Sequence, residues 1–251
     1  MYNEFYENSP KQVTPIQNVK TNSFLSKVYG NFALFLLITA VVSFLTAMGF
    51  GYWISAAGED QTPYTVLFIT VGVCGVTLFI LSFVMNVLRV FSKRSVLVPA
   101  ILYSICMGGL LSIFVLLIPS YIIASAFGIT ALTFVLMFVI AKFSKSNMNW
   151  AAVFGIGLLF GAMMLSLFFF IFYLIMPELF SWIYVIIDGA IFLAVLLLTM
   201  FDVAQINRMA ERGIENKNLA LYCAFNLYVD FIYIFIRILY ILVRIFGNSK
   251  K

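Results

Sequence analysis

Seven apolar runs, each long enough to cross a lipid bilayer, leave this chain very few ways to fold. They cover about 29–54, 64–88, 96–118, 120–141, 150–176, 180–206 and 219–246, and roughly 20 residues is the length that a spanning helix needs. Lipid offers no partner for backbone N–H and C=O groups, so the spanning element must satisfy them within itself. A transmembrane β-barrel is excluded because the runs are too long and do not alternate between polar and apolar residues. The expected fold is therefore an all-α polytopic membrane protein, a bundle of seven transmembrane helices. The third and fourth runs are parted only by Ile118-Pro119-Ser120, which reads as a tight turn. Composition agrees, with 64% of residues apolar and 10% charged.

Around this core, residues 1–23 are polar, carry Pro10 and Pro15, and read as a flexible tail. Residues 24–247 form the membrane domain, and 248–251 a short basic tail. No basic–apolar–small cleavage pattern opens the chain, so the first span is expected to act as its own signal.

Lys and Arg placement sets the expected orientation. With the N-terminus inside, the inner segments hold Lys11, Lys20, Lys27, Arg89, Lys93, Arg94, Lys142, Lys145, Arg208, Arg212 and Lys217. The outer loops hold Glu59, Asp60 and Glu178 and no basic residue; only Arg237, Arg244, Lys250 and Lys251 break the rule. The reading is N-terminus cytoplasmic and C-terminus outside. The net charge of +5 then follows from topology. Its partner is the anionic surface of the bilayer, and the basic residues form no compact patch for nucleic acid.

Some chemistries are ruled out by absence. There is no histidine, so Ser-His and Cys-His catalysis and imidazole-based pH sensing are impossible. Cys74, Cys106 and Cys223 lie in different spans at unrelated spacings, which argues against a disulfide framework or a zinc site. Gly157 and Gly161 form a Gly-x-x-x-Gly, preceded by Gly155; Gly72 with Gly75 and the pair Gly108-Gly109 occur in earlier spans. Such spacing lets helix backbones approach closely, and packing within the bundle is the expected use.

The ionisable residues inside the last two spans carry the functional signal, because a carboxylate there is costly. Asp202 and Asp230 each lie fourteen residues from Asn216, the centre of the polar turn between the spans. In an antiparallel helical hairpin they stand at the same depth. The register that levels them also levels Asp188 with Arg244, an expected outer acid–base pair. Asp230, Arg237 and Arg244 are spaced by sevens and share a helix face, so Arg237 is a further pore or latch residue. Two carboxylates in a low-dielectric site do not both ionise cheaply, and the pair titrates in coupled steps. Sharing a proton, they hold their helices together; both charged, they repel. Arg89, at the inner end of the second span with Arg94 close behind, is the candidate partner that latches them. Opened, the same oxygens suit Ca²⁺.

Ser26-Lys27-Val28-Tyr29-Gly30, Leu37-Ile38-Thr39-Ala40, Leu198-Thr199-Met200-Phe201-Asp202 and Leu227-Tyr228-Val229-Asp230-Phe231-Ile232 resemble the Bax inhibitor-1 family, over about residues 24–247. The resemblance implies a seven-helix bundle with the last helix central. It also implies a bacterial-type, pH-sensitive calcium leak channel in which Asp202 and Asp230 are the paired aspartates and Arg89 their arginine. There are departures: a glutamate that some relatives carry in the second span has no counterpart, and Thr77 and Leu78 occupy its region. Asp188 and Arg237 are additions that could supply a different outer gate. No cofactor is expected, with Ca²⁺ as permeant ion and Asp202 and Asp230 as its transient ligands.

Two other classes remain. A regulatory membrane protein would bind a quality-control protease or another membrane partner through residues 1–23. An intramembrane aspartyl protease could use two aspartates to activate water, but such enzymes need Gly-x-Gly-Asp where this chain has Asn226-Leu227-Tyr228-Val229-Asp230. A bacterial cytoplasmic membrane is the expected location, with the endoplasmic reticulum as the other.

Overall fold

The computed structural model describes residues 15–58, 60–90, 96–143, 149–173, 181–213 and 216–248. They form seven helices: α1 (Pro15–Ala57), α2 (Thr62–Val90), α3 (Leu97–Leu117), α4 (Ser120–Phe143), α5 (Asn149–Tyr173), α6 (Ser181–Glu211) and α7 (Lys217–Asn248). No strand occurs among the described residues. Helix α1 begins inside the segment expected to be a flexible tail.

The turns follow local chemistry. After α1, Gly58 takes a left-handed φ of 61°. The Asp60 carboxylate then accepts hydrogen bonds from the Thr62 N–H (3.0 Å) and hydroxyl (2.6 Å), which caps α2. Between α3 and α4, Ile118 is extended at φ −109°, ψ 134°, as expected of a residue crowded by a following proline. Between α6 and α7, Gly213 supplies a left-handed φ of 69°, the usual device for ending a helix. Asn216 then caps α7, its side-chain oxygen accepting from the N–H groups of Asn218 (3.0 Å) and Leu219 (3.4 Å).

Among the described residues, six helical stretches are long and apolar enough to cross a membrane: Ser23–Ala57, Thr62–Met85, Leu97–Leu117, Ser120–Ala141, Asn149–Ser166 and Ile186–Glu211. They turn large apolar side chains outward, Phe68 and Phe79 among them, at 65% and 78% exposure. A surface of that kind is stable in lipid and not in water. The chain is an integral membrane protein.

Helix α7 is packed differently. It contacts α1, α3, α4 and α6. Cys223, Ala224 and Phe225 are buried in succession, and three consecutive residues sweep about 200° of a helix. Neighbours must therefore stand on more than one side of it. Phe231 packs among Phe32, Phe127 and Phe134, with ring centroids 5.8, 5.6 and 5.2 Å away.

One polar knot ties α7 to α1 and α3. The buried Thr39 hydroxyl lies 2.6 Å from the Tyr228 hydroxyl, 3.0 Å from the Phe35 carbonyl and 3.1 Å from the Ser104 carbonyl. Carbonyls only accept, so the single Thr39 proton goes to them and Tyr228 donates to Thr39. Close approach of α1 to α3 makes this possible. A Cβ on Gly108 would stand 2.8 Å from the Thr39 carbonyl oxygen.

The other glycines correct one expectation. Gly155 does pack on α6, where a Cβ would meet Leu198 at 3.1 Å, but Gly157 and Gly161 have nothing within 4 Å. The Gly-x-x-x-Gly borders an apolar groove beside Trp150 and Phe154 instead of seating a neighbouring helix of the bundle.

Candidate functional site: an acidic cavity at the helix hairpin

Tyr222, Asn226 and Asp230 follow one another at four-residue intervals on α7, so they form a ladder on one face. Helix α6 brings Asp202 and Gln205 opposite. Beside them, walled also by Val96 and by Ala152 and Ile156 of α5, lies a cavity of about 700 Å³ that reaches from the turn residues Asn216 and Asn218 to Asp230. A second cavity, about 270 Å³, adds Ser82 and Met85 of α2. Asp202, Tyr222, Asn226 and Asp230 line both. The two aspartates thus share the wall between two cavities, one facing the hairpin turn and one facing α2.

Asp230, like Asp202, is half-buried. Its Oδ2 atom is buried and has no hydrogen-bond partner among the described residues. Asp202 is near enough to act on it electrostatically, and the Thr199 side chain lies against it. The Thr199 hydroxyl donates to the Val195 carbonyl at 2.9 Å. An orphaned carboxylate oxygen in a low-dielectric wall is unstable as an anion unless a proton or a cation joins it.

Arg89 belongs to α2, but its side chain, like all of Arg94, lies outside the described residues. The outer pair differs from expectation. Asp188 forms an ion pair with Arg237, whose Nη2 also donates to the Asp188 carbonyl at 3.2 Å. Arg244 is exposed. Counting residues from the turn assumes that helices stay level and that charges meet side by side. An arginine head on a long flexible stem instead reaches past its own level, so the nearer guanidinium captured the acid.

Among the described residues no group of three His, Cys, Asp or Glu side chains could hold a resident metal. Sequence reasoning passed over Tyr222, Asn226 and Gln205. Their signal was the four-residue spacing from Asp230 and the three-residue spacing from Asp202. It also passed over the thiols of Cys74 and Cys106, which interact across α2 and α3.

The molecule is thus a polytopic helical membrane protein in which Asp202 and Asp230 line the same two cavities. Its residues 21–248 match the family described as inhibitor of apoptosis-promoting Bax1, and the chain belongs to the Bax inhibitor-1 family. Neither a curated protein nor a solved structure matches it.

Proposed function

We propose that this protein is a pH-sensitive cation leak channel, with Ca²⁺ the cation its oxygen ligands suit, gated by Asp202 and Asp230. The observation that carries the reading is the shared position of both carboxylates on two cavities, one of them with an unpartnered buried oxygen. Protonated, the pair bridges α6 and α7 and the path is shut. With both charged, carboxylates about 4 to 8 Å apart repel by roughly 2–4 kcal/mol at an effective dielectric of about 20. That energy shifts a two-state equilibrium by about 30- to 900-fold, enough to gate a helix contact. Arg89 is the proposed counter-charge of the closed state, with Arg94 five residues further on. In this reading α7 is the central seventh span, the N-terminus is cytoplasmic, and the membrane is the bacterial cytoplasmic one.

The test is Ca²⁺ flux into proteoliposomes between about pH 5 and 8, for the wild type and for Asp230→Asn. Flux that depends on pH in the first and not in the second supports the channel. No flux at any pH would transfer the proposal to the regulatory class, a membrane protein that binds a protease or other partner through residues 1–23.

A further inference from the structure

Along α7 both cavities end at Asp230; no α7 residue beyond it lines either one. The next turn carries Ile234, fully buried, in an apolar cluster against which Phe192, Val195 and Leu196 of α6 pack. One heptad beyond Asp230, about 10 Å along the axis, Arg237 pairs with Asp188 across the same two helices. The α6–α7 contact therefore carries, in order from the turn, a polar cavity, a carboxylate pair, an apolar layer and an ion pair.

We propose that Asp188 and Arg237 form a second gate in the pathway of the carboxylate pair, closing it on the side away from the hairpin turn. The proposal rests on the channel reading for its cargo but not for its geometry. Arginine keeps its charge at every relevant pH, so the guanidinium half of this gate does not titrate. The gate resists the separation of α6 from α7 that repulsion between Asp202 and Asp230 drives. Two gates at opposite ends of one apolar layer allow the aspartates to load from the turn side while the far side stays shut. The spacing explains why Asp188 and Arg237 occur together: either alone would be an unpaired charge inside a span.

Cys223 lines the larger cavity and reports access to it without reference to any ion. The experiment uses vesicles of known protein orientation containing the Cys74→Ala, Cys106→Ala chain. A membrane-impermeant quaternary-ammonium methanethiosulfonate is added on the side away from the hairpin turn. Arg237→Gln is expected to speed labelling of Cys223 from that side at least tenfold over wild type. Arg237→Lys, which keeps the charge, and the swap of Asp188→Arg with Arg237→Asp, which keeps the pair, are expected to return it to the wild-type rate. Equal far-side labelling in wild type and Arg237→Gln overturns the gate. Labelling that follows the pair in proteoliposomes that pass no Ca²⁺ sustains the gate and fails the channel reading alone.

Discussion

Gly108 is the position at which one methyl group should cost most. A Cβ built there stands 2.8 Å from the Thr39 carbonyl oxygen and 2.8 Å from the Val42 Cβ, where ordinary contacts begin at 3.4 Å. Both obstacles belong to the rigid part of α1, so the helices must part by roughly 0.6 Å or strain in place. Overpacking of this kind costs about 1–3 kcal/mol. Parting α1 from α3 also stretches the 3.1 Å bond from Thr39 to Ser104, worth about 0.5–1.5 kcal/mol. Gly108→Ala should therefore destabilise the protein by about 2–4 kcal/mol in reversible unfolding from mixed micelles. The neighbouring glycines give a graded series. At Gly109 the Cβ meets only the Cys74 thiol, at 3.0 Å, which can rotate, so Gly109→Ala should cost below about 1 kcal/mol. At Gly157 the space is open, and alanine should be neutral or stabilising by up to about 1 kcal/mol through helix propensity. A Gly108→Ala protein no less stable than Gly157→Ala would refute the close α1–α3 contact and the knot built upon it.

Tyr228→Phe removes the donor to Thr39 and leaves Thr39 its two carbonyl acceptors, so unfolding should become easier by about 0.5–1.5 kcal/mol; an unchanged stability would mean the hydroxyls do not meet. The Thr62 hydrogen bonds hold the Asp60 carboxyl below its ordinary value of 3.8. Its capping contribution is thus fully present at neutral pH and fades only as pH falls through that lowered value. Asp60→Asn should leave the flux profile between about pH 5 and 8 unmoved, and a displaced profile would transfer the sensor to this loop. Copper-phenanthroline should join Cys74 to Cys106 within one chain, seen as loss of two alkylatable thiols; a failure to cross-link would separate α2 from α3 at mid-span.

The sequence-based reading works best where helix geometry alone decides. Spacing fixes which residues share a face, and distance from a turn fixes depth in an antiparallel hairpin. That is how Asp202 and Asp230 can be set opposite one another by counting from Asn216, and the break at Ile118 read from its proline. What it could not supply is azimuth and reach. The Gly157–Gly161 spacing says that a smooth face exists but not whether that face turns to the bundle or to lipid. Levelling Asp188 with Arg244 ignored how far an arginine extends, and so missed the Asp188–Arg237 pair. Thr39, Ser104 and Tyr228 meet across 65 and 189 residues of chain, and Cys74 and Cys106 meet across two helices. No local pattern encodes contacts of that kind.

The central claim is that Asp202 and Asp230 act as one titrating unit, and a double-mutant cycle on pH-dependent Ca²⁺ flux tests it most directly. Asp202→Asn, Asp230→Asn and the double variant are compared in proteoliposomes at about pH 5 and 8. The account predicts that either single change abolishes the pH dependence and that the double variant adds nothing further. Two partial losses that sum in the double variant would show that the carboxylates titrate independently, and would contradict the gate.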